Sequence, residues 1–348
     1  MAKRVISLVL LLTLLLSLAS CGASGGPRYT RSNYKCFNTV SRAYSYGDIG
    51  EASFNSLMDE AFLLLEEYNK LYDIYFEYAG INNIKTINKN AGVKPVLVDE
   101  RIIDLIEFGI EVYDLTGGEV NIAMGSVLKL WHDAREAAED GVYYLPDAKA
   151  LSDAGLHTDI NDIIIDREKS TVYLADPLMS LDVGAVGKGY ATEMVAKIIE
   201  ERGYTSFALN FGGNIRLIGD IPTTFGTRPF TIGITNPNKD ATGYAAEILV
   251  SDTSIVTSGD YERYYTVDGV NYHHIIDKDT FMPSAYFRSV TIIIKDSGVA
   301  DALSTALFSM PYDVGYALID SISGAEAMWI TTDGNTYMTD GFRALISD

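Results

Sequence analysis

The chain has 348 residues, 47% hydrophobic and 21% charged, so it can bury one large core or two modest ones and is not a disordered polymer. Its formal net charge of -20 argues against the basic face that a phosphate-backbone binder needs, and no nucleic-acid partner is expected. The 23 tyrosines suit half-buried strand positions with the hydroxyl turned outward.

Lys3 and Arg4 precede an apolar run from Val5 that closes in Leu18-Ala19-Ser20-Cys21-Gly22. This is the layout of a bacterial secretory signal, and its end resembles a lipoprotein signal. It predicts cleavage before Cys21, a diacylglyceryl group on that thiol, and residence on the outer face of the cytoplasmic membrane. A non-cleaved anchor is the alternative, but the run is shorter than the ~20 residues that span a bilayer. Residues 1–20 are thus read as signal and residues 21–35, with Gly22-Ala23-Ser24-Gly25-Gly26-Pro27, as a polar tether. A folded domain is expected over 36–348. Cys36 is left without a partner, so the fold must rely on its core rather than on disulfides.

Phe54, Leu57, Met58, Ala61, Leu64, Leu65, Tyr68 and Leu71 recur at helical spacing and predict an amphipathic helix of about five turns, ending in Tyr72-Asp73-Ile74-Tyr75. Asp99 is placed to cap a second helix carrying Ile102, Ile103, Ile106, Ile110 and Tyr113, which Gly117-Gly118 ends. A third is expected from Val127 to Ala138, with Trp131 and Ala134 buried and His132 partly exposed. Strands are expected at Ile163–Asp166 and Thr171–Leu174, either side of a Glu168-Lys169 turn. The apolar run Leu178 to Val183 reads as a short buried strand. It leads through a glycine-rich turn into a helix with Ala191, Met194, Val195, Ile198 and Ile199, ending at Gly203.

Strands then follow quickly: Phe207–Phe211, Ile215–Ile218 after Gly212-Gly213-Asn214, Phe230–Thr235, Ala246–Val250, Ser254–Thr257, a hairpin about Asp268-Gly269, and Val290–Ile294. A helix holding Val299, Leu303, Ala306 and Leu307, another over Asp313 to Ile322, and a hairpin about Asp333-Gly334 close the chain. Helices dominate the first half and strands the second without βαβ alternation. That predicts an α+β fold with more than one sheet.

In the stretch from Ser180 to Gly189, Gly184, Gly187 and Gly189 let backbone N–H groups approach a ligand, Lys188 adds a cation and Asp182 a carboxylate. This suits a diphosphate, although a plain tight turn uses glycines in the same way. The spacing is neither G-x-x-x-x-G-K-[ST], because Tyr190 stands where Ser or Thr belongs, nor G-x-G-x-x-G. Asp301 and Thr305, four apart, share one helix face and offer hard oxygen ligands of the kind Mg²⁺ takes. Ordinary helix-start chemistry gives the same pattern. Tyr272–Asp277 reads as strand, so His273 and His274 point to opposite faces and only one can be the general base of a site. Zinc lacks a third ligand at a fitting spacing, since the other histidines are His132 and His157. Thr257–Tyr261 is a polar bend, and no G-x-S-x-G supports a serine hydrolase.

Five segments in order resemble the FAD:protein FMN transferase family, also called the ApbE family of flavin transferases. Leu181–Tyr190 resembles its D-x-G-x-x-x-K-G-Y signature, Asn210–Asn214 its N-x-G-G-[DN] turn and Thr257–Tyr261 its T-S-G-[DN]-Y loop. His274-Ile275-Ile276-Asp277 resembles H-I-[IL]-D-P, and Ala300–Ala306 resembles A-D-A-x-[SA]-T-A. The resemblance implies a two-lobed α+β fold, with mixed sheets flanked by helices and the FAD site in the cleft between lobes. It implies Mg²⁺ on Asp301, Thr305, the carbonyl of Ala185 and Ser304, and FAD contacts from Asp182, Lys188 and Ile275. Glu119, Val120 and Asn121 occupy the place of the family's G-x-F-D segment, and Tyr78 that of a flavin-nucleotide-contacting tyrosine. His274 is the candidate base.

The implied reaction carries FMN from FAD to a Thr or Ser hydroxyl of an acceptor flavoprotein with an S/T-G-A-[ST] type motif, releasing AMP. Such acceptors include subunits of Rnf- or Nqr-type redox pumps and extracytoplasmic reductases. A flavin-carrying surface lipoprotein and an FAD pyrophosphatase are the competing readings. The chain departs from the family pattern at Asn121, Lys278 and Thr280-Phe281, where Asp, Pro and Thr-Gly are usual. Losing that proline and glycine predicts an altered loop near the acceptor.

Overall fold

The computed structural model describes residues 26–238 and 243–347, so the signal segment and Cys21 lie outside the described residues. Its framework is an eight-stranded antiparallel sheet whose order in space is its order in sequence. The strands are Tyr29–Asn33, Ser41–Ser45, Ser206–Phe211, Asn214–Gly219, Ser254–Gly259, Phe287–Ile294, Glu326–Thr331 and Thr336–Met338. Apart from the C-terminal helix Asp340–Ala344, the remaining elements are inserted between neighbouring strands. The period-two alternation of each strand divides its side chains between two cores. Val256, Val290 and Ile292 enter the larger one with the helices, while Ile255 and Ile293 face a second core with Ile232, Ile248 and Phe342. The hairpin of Phe230–Thr235 and Tyr244–Val250 covers that second face.

The insertion over 46–205 carries the helices Glu51–Leu71, Ile84–Lys89, Glu100–Leu115, Gly125–Glu139, Ala148–Gly155 and Gly187–Glu201, and a small sheet of Val96–Leu97, Thr171–Leu174 and Ile163–Asp166. Asp99 caps its helix as expected, accepting from the Arg101 N–H. The helix Ser297–Phe308, inserted before Glu326–Thr331, lies on the strands Ser254–Gly259 and Phe287–Ile294 and against Gly187–Glu201. The α+β class with several sheets is what the sequence predicts.

Three local readings need correction. Tyr29–Asn33, placed in the tether, is the edge strand of the large sheet, so the folded chain begins before Cys36. Leu178–Val183 is not a strand; its one ladder contact is the bridge of Ser180 to Met124. The Asn88 amide takes both the N–H of Leu181, at 2.7 Å, and its carbonyl, at 2.9 Å, so the backbone is satisfied without a neighbouring strand. Thr257–Gly259 is strand, and the bend begins at Asp260.

Candidate active site

Asp182 sits where two segments of the large insertion meet. Its N–H donates to the Ile122 carbonyl at 2.8 Å, which holds Glu119–Asn121 beside the glycine-rich turn. Its Oδ1 accepts the Gly184 N–H at 2.8 Å, and burial pushes its carboxyl up from the ordinary range. The Gly187–Glu201 helix starts immediately afterward with no side-chain cap.

This helix crosses Ser297–Phe308 at Gly189, where the approach is close for a specific purpose. A Cβ on Gly189 would lie 2.4 Å from both the Asp301 Cβ and the Ser297 carbonyl oxygen. Without it, the Gly189 N–H reaches Asp301 Oδ2 at 2.8 Å. Lys188 Nζ stands 3.5 Å from Asp301 Oδ1 and donates to Asn214 Oδ1. The fully buried Asn214 amide nitrogen has no acceptor of its own among the described residues. Gly189→Ala is therefore expected to cost about 1–3 kcal/mol of stability, as overpacking does, and to move Asp301 away from Lys188. Thermal melts and activity assays on that variant check both effects.

Asp301 is buried, whereas Thr305, one turn on, is half-buried and makes only a 3.5 Å contact back to the Asp301 carbonyl. Ser304 is committed elsewhere, at 2.8 Å to Ser258 Oγ and 2.8 Å to the Asp301 carbonyl, tying the helix to the strand beneath it. Ala185 is half-buried at the turn. Among the described residues no three His, Cys, Asp or Glu side chains gather as a metal site. One carboxylate, a hydroxyl and a carbonyl are hard donors, too few for a closed cage, and suit a cation completing its shell with water and phosphate oxygens.

The two histidines separate by hydrogen bonding. The strand ends at His273, which is buried; its Nε2 meets the Ser284 carbonyl at 2.8 Å and its Nδ1 accepts the Ile275 N–H at 3.2 Å, so both nitrogens are used. His274 is half-buried and lies past the strand end, not opposite His273 across it. Its Nδ1 faces the Arg263 carbonyl at 3.3 Å. A carbonyl only accepts, so Nδ1 carries the proton and Nε2 is left bare. Burial first, then Arg263, Arg135 and His273, push the imidazole down to about 3.

Three residues not singled out for chemistry by sequence join this side. Tyr75 stacks on His132 with ring centroids 4.4 Å apart, and Arg135 Nη2 lies 2.9 Å from His132 Nδ1. Burial and the Asp182 charge push the Tyr75 phenol up to about 12. Tyr78 instead donates to Asp73 Oδ2 at 2.7 Å. The signal for Tyr75 and His132 was the pairing of a helix-end tyrosine with a half-exposed histidine, which spacing alone does not connect.

Val120 is buried, and Asn121 ties its amide to the Thr158 carbonyl at 2.9 Å and the Ala123 N–H at 2.8 Å. Asn121 and Lys278 line a hollow of about 480 Å³ with Gly118 and Asp159. Lys278, at the family's proline position, sits 3.6 Å from Glu119. Phe281, at the glycine position, takes φ 56°, a left-handed backbone reached without glycine, and its ring lies over Gly155. Ile275 is buried, with its carbonyl held by the Ser284 N–H.

Residues 37–329 match the model of the ApbE family. The chain belongs to that family. Among its curated relatives, an FAD:protein FMN transferase of Treponema pallidum is 31% identical, over 93% of this chain and 90% of the relative. One of Klebsiella pneumoniae is 28% identical over 84% and 87%. The solved ApbE protein of Thermotoga maritima superposes with a TM-score of 0.78 at 26% identity, covering 92% of this chain and 99% of that one. A variant of flavin transferase ApbE from Vibrio cholerae gives 0.75 at 26%, covering 91% and 99%. In this ApbE-family chain the glycine-rich turn and the Ser297–Phe308 helix therefore meet at Asp301 on a fold shared with those structures.

Proposed function

We propose that the chain is an FAD:protein FMN transferase that uses Mg²⁺ to move FMN from FAD onto a Thr or Ser hydroxyl of an acceptor flavoprotein. The observation that carries this reading is Asp301, buried at a helix crossing between the Gly189 N–H and Lys188. A flavin carrier has no use for a buried carboxylate and a cation converging beside a diphosphate-type turn. Asp301, Thr305 and the Ala185 carbonyl would hold the cation, with Ser304 bracing the helix, and the cation would supply charge neutralisation at the diphosphate.

In the proposed step the acceptor oxygen bonds the phosphorus that bears riboflavin. The bond from that phosphorus to the bridging oxygen breaks, and AMP leaves with the electron pair. The hydroxyl proton passes to His274 Nε2, the nitrogen left bare by the Arg263 carbonyl. Asp182, Lys188 and Ile275 contact FAD, and Glu119, Val120, Asn121 and Tyr78 border it. The acceptor carries an S/T-G-A-[ST] type motif. Residues 1–20 are a lipoprotein signal and Cys21 a lipid anchor, which places the domain on the outer face of the cytoplasmic membrane within reach of such acceptors.

The test is the intact mass of a threonine-containing acceptor domain after incubation with the protein, FAD and Mg²⁺, with EDTA and an acceptor Thr→Ala control. A metal-dependent FMN adduct supports transfer; FMN and AMP without adduct indicate hydrolysis, and unchanged bound FAD indicates a carrier. His274→Ala is expected to slow transfer by ~10²–10⁴-fold while FAD affinity stays within about twofold. Loss of both would refute its role as base. Because its free-enzyme value is about 3, His274 stays neutral as pH falls, and kcat/KM measured from pH 8 to about 5 should show no acid limb from it.

A further inference from the structure

Most arginines among the described residues are held by carboxylates. Acidic residues outnumber basic ones, 47 to 27, and Arg28, Arg101, Arg167, Arg202, Arg216 and Arg288 each hold a carboxylate. Arg135 and Arg263, like Arg228 and Arg343, form no ion pair among the described residues, but these two lie beside His132 and His274. The side-chain contact of Arg135 is with His132, and Arg263 offers its carbonyl to His274.

The fold brings these two together. The Gly125–Glu139 helix starts against the glycine-rich stretch, through the Gly125 N–H to the Ser180 carbonyl at 2.9 Å. Its Trp131 packs on Tyr265 and Tyr272, at 6.4 and 6.0 Å between ring centroids, in the hairpin Tyr264–Val267 and Val270–His273. Arg263 enters that hairpin and His274 leaves it, joined by the 3.1 Å bond from the His274 N–H to the Arg263 carbonyl. Arg135, from the helix, and Arg263, from the hairpin base, both bear electrostatically on Asp182 and on His274. Asp182 is a poor counterion for them, because its carboxyl is pushed up by burial.

We propose that Arg135 and Arg263 form a two-guanidinium cradle for the diphosphate of FAD, on the His274 side and opposite Lys188, and that they stabilise the charge developing on the transferred phosphoryl group. The proposal rests on the transferase reading and adds to it two residues that its motifs do not contain. A guanidinium offers paired N–H donors that match phosphate oxygens, and donors already in place where charge develops stabilise the transition state. The same pair adds to the burial that holds His274 neutral. With the cradle empty, burial first and then both positive charges and His273 keep the imidazole neutral; a seated diphosphate offsets the arginine part of that field, and Nε2 becomes a stronger base.

The experiment compares the full-length parent with Arg135→Gln, Arg263→Gln and Arg135→Lys, using melting temperature to confirm folding. Transfer in each Gln variant is expected to fall by about 10²-fold or more, with the Lys variant recovering part of the loss. The His274 limb of kcat/KM, which lies below about pH 5 in the parent, should also move to higher pH in both Gln variants, an effect that a merely structural role would not produce. Binding of FAD and of riboflavin is read alongside: FAD affinity should drop about tenfold or more, with riboflavin affinity unchanged. Gln variants that transfer and bind FAD within about twofold of the parent would overturn the cradle. If the parent binds FAD but transfers nothing, the transferase reading fails instead. The cradle is then judged on affinity alone: selective loss for FAD supports it, and equal affinity for FAD in parent and variants overturns it.

Discussion

Asp301→Ala should remove FMN transfer and its dependence on Mg²⁺ together, with at least ~100-fold loss of rate, since even groups one shell removed from a metal cost 10–100-fold. The side chain is buried where two helices cross, and its two oxygens are engaged separately, one by the Gly189 N–H and one toward Lys188. Truncation therefore leaves an unpaired N–H and an unbalanced ammonium in the same small space. A mass assay at several Mg²⁺ concentrations reads the effect. A variant that transfers FMN at the parent rate, with or without EDTA, would refute the assignment of Asp301 to cation binding. Thr305→Ala provides a gentler comparison, because its hydroxyl makes only a long contact to the Asp301 carbonyl.

Arg216→Ala is expected to be the most destabilising single change, by about 3–5 kcal/mol. Arg216 is wholly buried and meets Glu193 at 3.2 Å, Glu200 at 2.8 Å and Asp252 at 3.4 Å, and it also donates to the Leu217 carbonyl. Glu193 in turn accepts the Ser297 N–H at 2.9 Å. One arginine of the sheet thus secures both the Gly187–Glu201 helix and the start of the helix that carries Asp301. Removing it strands a buried carboxylate whose own value burial already pushes up. Denaturant melts of Arg216→Ala, and of a Glu193→Gln/Arg216→Met pair that deletes both charges, check the origin of the loss: the pair should recover much of it. Equal loss in both would point to packing rather than charge.

The chemistry-bearing segments were legible because their cause is local. Gly184, Gly187 and Gly189 mark a turn, Asp301 and Thr305 lie one helical turn apart, and the long helices show their apolar period. What was not legible depends on partners far along the chain. Leu178–Val183 has a strand's composition, yet Asn88 takes the hydrogen bonds of Leu181 and no strand pairs along it beyond the bridge of Ser180 to Met124. Tyr29–Asn33 looks like tether because it is polar, and its partner strand hides behind the buried Ser41 and Ser45, which carry no apolar alternation. His132 reads as a partly exposed helix residue, and no motif marks Arg135, until the Tyr264–His273 hairpin comes down beside them. Tyr75, which no motif marks, stands in the field of Asp182, while Tyr78 donates to Asp73.

The sheet whose spatial order follows the chain has a consequence for how the protein is made. Ser41–Ser45 pairs with Ser206–Phe211 across the whole inserted segment 46–205, whereas the later strands find neighbours that arrive soon after them. An unstructured loop of that length would make closure slow and entropically costly, although each doubling adds only about 0.6 kcal/mol. If the insertion condenses first, its ends arrive already close together. During vectorial synthesis the first two strands must then wait, unpaired on one edge, until the ribosome has released residue 211. That interval is when the nascent chain is most exposed to mispairing, and a chaperone that shields a lone hairpin edge would act there.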